Sequence, residues 1–340
     1  MIYNDEIKPE KNLGKLALFI SFFPLILSGP IERAKNMLPQ FNAPRKINYD
    51  LVEAGLKMML WGYFMKLVVA DRIGFYVDAV FNNLSQHNGT SILFASVLYP
   101  FQIYADLGGY SLLAIGTAKV LGFEVMQNFR RPFFATTMSE FWRRWHISLI
   151  SWLTDYIFTP LSFSFRKYKI WGIVIALMIT FLISGIWHGA ALTFVMWGLV
   201  QGIFLSIEAL TNKRRVRFEE SLTQSKKSWY LTMGCVIVFI LFSTSQIFSR
   251  SSNIHDALTV YQKIFTQPGP LFLDKTTLAY ALIGLTLLLI KDFLEEFYPQ
   301  KIYLFENKCI VVRYISYLTI IFMILLFGIL NSSQFIYFQF

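Results

Sequence analysis

Long apolar blocks alternate along this chain with short polar and basic segments. The longest block covers 170–210, and no Asp, Glu, Lys or Arg lies between Lys169 and Glu208. A membrane-crossing helix takes about 20 residues. The block therefore predicts two spans, joined or interrupted at Ser184-Gly185-Ile186-Trp187-His188-Gly189-Ala190, where an imidazole sits between glycines. Residues 13–29 form an earlier apolar run, interrupted by Pro24, which spans or bends and enters only partway. Residues 49–69 are a second candidate span; Lys66 is close enough to its end to snorkel, whereas Lys57 asks for a protein-facing or tilted helix. An amphipathic stretch follows over 71–81. Residues 91–121 are apolar but hold Gln102, Asp106 and Gly108-Gly109, a pair that predicts a helix break. Further spans are expected over 229–248 and 314–330, while 278–290 is short for one.

The pattern over 136–160 is different. Thr137-x-x-Glu140 reads as a capping box and Pro160 as a stop. On one helix, Trp142, Trp145, Leu149, Trp152 and Tyr156 share a face, Arg144, Ser148, Ser151 and Asp155 lie nearly opposite, and His146 is at the flank. A helix rich in Trp and Arg prefers the headgroup boundary, so this stretch is expected to be interfacial.

Composition sharpens the class. Of 340 residues, 55% are hydrophobic and only 15% charged, against roughly 25% charged in soluble proteins. The net charge of +10 sits mostly in segments beside apolar blocks, as in loops facing anionic lipid and unlike a nucleic-acid groove. Two cysteines give neither a disulfide framework nor a metal spacing, and the polar first dozen residues are not a signal peptide. The expected fold is an all-α polytopic membrane protein. It would be one membrane-embedded domain over 1–340, a bundle with tilted and broken helices and interfacial amphipathic helices around a central tunnel.

Of the four histidines, His87 and His255 fall in polar loops, whereas His146 and His188 fall in aromatic or apolar stretches. An ionisable side chain within a span is costly and usually functional, which marks His188 and, second, Asp106. A hydroxyl needs a base to become a nucleophile, and an imidazole kept neutral by an apolar wall can serve. A buried histidine bonded to a helix carbonyl remains the plain alternative. There is no Ser-His-Asp arrangement and no metal-ligand cluster, so covalent or metal catalysis is not indicated. On physics alone a proton-coupled transporter or flippase fits equally well, and a non-catalytic membrane scaffold is a third class.

Four stretches then settle on a resemblance: Ser28-Gly29-Pro30-Ile31-Glu32-Arg33, Asn128-Phe129-Arg130-Arg131-Pro132-Phe133, Ser139-Glu140-Phe141-Trp142-Arg143-Arg144-Trp145-His146-Ile147-Ser148, and Ser184-Gly185-Ile186-Trp187-His188-Gly189. With the terminal Phe335-Ile336-Tyr337-Phe338-Gln339-Phe340, in order and over nearly the whole chain, they resemble the membrane-bound O-acyltransferase family, most of all its bacterial, alginate O-acetyltransferase-like branch. The resemblance implies a multi-pass protein of the bacterial inner membrane that passes an acyl group from a cytoplasmic donor to a hydroxyl outside or within the membrane. It implies that His188 is the essential histidine and general base of a catalytic hairpin over 170–210, and that His146 takes the second polar position. Trp187, Trp145, Arg144, Ser148, Asp106 and Asn128 are the expected substrate-binding residues. The expected donor is acetyl-CoA or an acyl-carrier thioester, with no bound cofactor, and the expected acceptor side is a surface glycan or a periplasmic acyltransferase partner. Members of the alginate type carry several more spans ahead of this region, so the chain is expected to be short at its amino-terminal end.

Overall fold

A computed structural model describes residues 8–26, 29–42, 44, 48–299, 305 and 307–330. The motif at 28–33 is thus described from Gly29 onward, and the terminal stretch 335–340 lies outside the described residues. Among the described residues every regular element is helical. Three short helices come first, α1 (Leu13–Ile20), α2 (Phe23–Ile26) and α3 (Ala34–Met37), then α4 (Tyr49–Tyr63), α5 (Asp71–Phe81) and α6 (Gly89–Val120). The middle of the chain holds α7 (Met138–Arg144), α8 (Ile147–Leu153) and α9 (Thr159–Ser164). The rest is α10 (Ile170–His188), α11 (Leu192–Glu220), α12 (Gln224–Arg250), α13 (Ile254–Thr266), α14 (Lys275–Phe297) and α15 (Ile310–Phe327). Five of these, α10, α11, α12, α14 and α15, are long and apolar enough to cross a membrane. With them the chain is an all-α polytopic membrane protein.

Asparagine caps explain several starts: the side chains of Asn12, Asn48, Asn88 and Asn253 accept the free N–H groups of α1, α4, α6 and α13. From α4 the chain continues through a π-helical turn, Phe64–Ala70, directly into α5. This rod lies along α6, and the contact depends on absent side chains. A Cβ on Gly62 would stand 2.7 Å from the Gly109 carbonyl oxygen, and one on Gly55 would stand 2.6 Å from that of Gly116. Small residues at matched positions bring two helix backbones together where apolar burial alone gives little drive. The helix break expected at Gly108-Gly109 is therefore absent: α6 runs 32 residues without interruption, and the glycines serve as its contact face. Gly62→Ala should cost about 1–3 kcal/mol by overpacking, lowering the unfolding temperature in detergent. Gly14→Ala, where the nearest atom is an exposed Asn12 oxygen at 3.2 Å, should leave it in place.

The block at 170–210 folds as an antiparallel hairpin of α10 and α11, turning at 189–191. A Cβ on Gly185 would meet the Phe194 carbonyl oxygen at 2.3 Å, and one on Gly198 the Phe181 carbonyl oxygen at 2.3 Å, so these glycines close the hairpin about one to two turns before His188. The short run at 278–290 is the middle of the longer α14. Its last turns carry Lys291, Asp292, Glu295 and Glu296, all with partners: Lys291 pairs with Glu295, Tyr104 donates to Asp292, and Arg131 and Arg144 reach Glu296.

The stretch 136–160 is not one interfacial helix. Its start is as expected: Thr137 accepts from the Glu140 N–H, and the Glu140 carboxylate accepts from Thr136. Burial alone would raise the Glu140 pKa, yet the Thr136 and Arg144 hydrogen bonds hold it below the ordinary carboxylate value. But α7 stops at Arg144, Trp145 is extended, and His146 is left-handed with φ 46° and ψ 50° before α8 begins. The aromatic face is therefore split between two environments. Trp142, Trp145 and Leu149 are buried in the bundle, whereas Trp152 and Tyr156 on the later segment are exposed. Glu208 of α11 anchors the buried part, accepting the N–H groups of Met138 and Ser139 at the start of α7.

Candidate functional site

Three cavities lie in series along the bundle. The smallest, ≈ 50 Å³, is midway along α6, where Tyr99, Ile103 and Leu107 face Trp142, Trp145, His146, Leu149, His188, Phe194 and Trp197. Both histidines singled out by the sequence thus line one chamber, although 42 positions separate them. The ring of His188 meets the edge of Trp197 at 5.2 Å and 85°. His146 stacks obliquely near Phe129 at 6.1 Å. A second cavity, ≈ 330 Å³, shares Tyr99, Phe194 and Ser249 with this chamber. It is lined further by Asp78, Gln102, 189–191, Thr193 and Arg250. The third, ≈ 530 Å³, lies toward the end of the bundle rich in Lys and Arg, with Lys57, Lys119, Asn128, Arg130, Arg131, Lys291 and Asp292 in its wall.

The chamber is separated from the large cavity on that basic side. Tyr104 and Phe129, which line the large cavity, pack on Trp145 at 6.2 and 5.2 Å, one aromatic layer from the chamber. Tyr104 is fixed by its hydroxyl, which donates to Asp292 at 2.8 Å.

The strained corner that presents His146 has an identifiable cause. A non-glycine residue in the left-handed region persists only where its surroundings impose it. Here the segment around Asn128 does so. Ile147 donates to the Asn128 carbonyl at 2.8 Å, and Arg130 donates to the Arg144 carbonyl at 2.8 Å. The Asn128 side-chain oxygen accepts from the Ser148 N–H and hydroxyl at 3.2 and 2.9 Å, and its amide donates to Ser111 at 3.0 Å. Asn128 and Ser148 are both buried. They act as the bracket that sets the His146 ring into the chamber, and the Nδ1 of that ring is buried with no hydrogen-bond partner among the described residues.

The other sequence-predicted residues take different places. Trp145 is in the chamber wall. Trp187 contacts the His188 ring at 5.2 Å but is 53% exposed, on the outer side of α10 and away from the chamber. Arg144 is in an ion network, 2.7 Å from Glu140 and 2.9 Å from Glu296. Asp106 is buried with Lys66 at 2.6 Å, and Lys66 also contacts Asp71 at 2.7 Å. This buried trio is clear of the three cavities. It yields a prediction about stability. Lys66→Met leaves two carboxylates facing each other without their cation, at a cost of about 3–5 kcal/mol, and should reduce the yield of folded protein sharply. Asp106→Asn leaves a one-to-one pair of Lys66 with Asp71 and should be tolerated. Size-exclusion profiles of the two variants in detergent check the contrast.

Trp197 in the chamber wall, and Tyr104 and Asp292 behind it, were not singled out in the sequence, where Leu149 appeared only as part of the aromatic face. Asp292 alone carried a signal, as an acidic residue at the end of an apolar run.

Comparison with known proteins adds an independent finding. The family model described as MBOAT, membrane-bound O-acyltransferase family, matches residues 10–252. A Pseudomonas putida protein named probable alginate O-acetylase AlgI is 32% identical over 273 residues, 78% of this chain and 52% of that protein. A Helicobacter pylori peptidoglycan O-acetyltransferase is 33% identical, over 72% of this chain and 45% of its own length. A Bacillus subtilis teichoic acid D-alanyltransferase is 27% identical, over 68% and 60% respectively. The chain spans about half the length of the first two.

Proposed function

Because the chain belongs to the membrane-bound O-acyltransferase family, we propose that it O-acylates a hydroxyl of a surface or exported polysaccharide, with His188 as general base. One observation carries this reading: two imidazoles from distant segments, His146 and His188, meet in one small apolar chamber between two larger cavities. The basic end of the bundle is assigned to the cytoplasm by the excess of Lys and Arg there, and the protein to the bacterial inner membrane. The donor, acetyl-CoA or an acyl-carrier thioester, enters the large basic cavity, where Lys119 and Arg130 suit its phosphates. The acceptor enters through the polar cavity beside Asp78, Gln102 and Arg250. It is a glycan hydroxyl or a periplasmic acyltransferase partner that carries the acyl group onward.

In the chamber the hydroxyl proton passes to a ring nitrogen of His188 as the oxygen forms its bond to the thioester carbonyl carbon. The carbon–sulfur bond then breaks, and the leaving thiolate takes that proton from His188, which returns to its neutral form. His146, held by Asn128 and Ser148, orients the acceptor or the thioester carbonyl. The aromatic layer of Tyr104 and Phe129 keeps water from the activated acyl group until the donor displaces it. The test is incubation of purified protein with acetyl-CoA labelled in the acetyl group and with alginate or peptidoglycan oligosaccharides. Ester-linked label on an oligosaccharide supports the reading. Movement of either substrate across a vesicle membrane without chemical change would instead make the protein a carrier.

A further inference from the structure

We propose that the chamber between His146 and His188 is an acyl-size filter that admits a two-carbon, uncharged acyl group and rejects longer ones, with Ile103, Leu107 and Leu149 setting the limit. This rests on the acyltransferase reading above and adds to it the feature of this chain that selects the donor.

The chamber measures ≈ 50 Å³. A water-sized group takes about 10–15 Å³ of such space, so there is room for about 3–5 non-hydrogen atoms. An acetyl group brings its carbonyl carbon, carbonyl oxygen and methyl, and the attacking hydroxyl oxygen makes a fourth atom. A butyryl group adds two methylenes, which overfill the space or intrude on the adjoining polar cavity from which the acceptor comes.

Rigidity decides whether the walls can yield. Trp142 packs on Phe181 at 5.1 Å and Trp197 at 6.0 Å, and Trp145 packs on Phe141 at 5.4 Å and Phe242 at 4.9 Å. Trp142, Trp145, Trp197 and Leu149 are all buried, so none swings outward without opening the core. On the donor side the thioester that displaces Tyr104 and Phe129 fills the opening it makes, so the space left for the acyl chain is still the chamber between His146 and His188. Among the lining residues, Ile103, Leu107 and Leu149 are the aliphatic side chains. They are the wall that can be shortened without removing an aromatic ring from the core. Charge adds a second criterion. Among the described residues no carboxylate lines the chamber, so an acyl group carrying an ammonium, such as D-alanyl, finds no counter-ion among them.

Competition between acetyl-, propionyl-, butyryl- and octanoyl-CoA, assayed with the full chain, tests the filter. The chain should prefer acetyl over butyryl by at least ~100-fold in kcat/KM, since each ill-fitting methylene costs about 10-fold or more. Leu149→Ala and Leu107→Ala should each raise the butyryl-to-acetyl ratio by at least ~10-fold. They lie on different helices, so failure of one to fold leaves the other as the test. Equal use of butyryl and acetyl by the unaltered chain, or unchanged ratios in the folded alanine variants, would overturn the filter while leaving acyl transfer intact. Transfer of no acyl group at all would overturn the underlying function instead, and the filter with it.

Discussion

His188→Gln is expected to lower acyl transfer by about 10²–10⁴-fold, the usual contribution of a general base, with little effect on membrane insertion or unfolding temperature. The side chain ends α10 at the rim of the chamber rather than in the packed interior of the hairpin, where Gly185 and Gly198 make the closest contacts. Glutamine keeps comparable bulk and a hydrogen-bonding end but cannot take a proton at neutral pH. KM for the donor should stay close to its original value, because the large cavity proposed to receive the donor does not include His188. A loss confined to KM would mean that the ring only binds.

Asn128→Ala should have the second largest effect, by a different route. Its side chain is buried, accepts from both polar groups of Ser148 and donates to Ser111. Truncation strands these partners, at about 1–3 kcal/mol for each group left unsatisfied. The left-handed conformation of His146 loses its support, and a shift of about 1 Å in a positioned group can cost about 10²-fold in rate. Activity and unfolding temperature should therefore fall together, in contrast to His188→Gln. Asn128→Asp retains the acceptor for Ser148, and Ser111 can turn its hydroxyl to donate, so this variant should recover much of the stability. Thermal unfolding and initial rates measured on the same preparations separate the two cases.

These contrasts also explain what was legible in the sequence. The charge-free block around His188 announced the α10–α11 hairpin, because burial in lipid leaves a direct compositional record. The pairing of His188 with His146 was expected only by family resemblance, and its geometry was hidden. Periodicity treated 136–160 as one helix because Thr137 caps it and nothing local stops it before Pro160. The break at Trp145 and His146 is imposed from 128–130, through hydrogen bonds between residues far apart in the chain, Arg130 with Arg144 and Asn128 with Ile147 and Ser148. Likewise Gly108-Gly109 looked like a break because the facing Gly62 belongs to another helix. The reach of α14 was obscured because Asp292, Glu295 and Glu296 find their partners on α6, α7 and the segment before α7. The chamber walls were the least legible feature. Ile103, Leu107 and Leu149 are unremarkable apolar residues until the fold sets them against two imidazoles.

The central claim is that His188 removes a proton from an acceptor that meets the donor inside the bundle. It is tested most directly in sealed proteoliposomes of one orientation. Label-bearing acetyl-CoA is supplied only at the Lys- and Arg-rich end, with alginate or peptidoglycan oligosaccharide enclosed on the other side. Esterified, labelled oligosaccharide is expected inside vesicles carrying the unaltered chain, and background levels with His188→Gln. Equal labelling by the two proteins would contradict it.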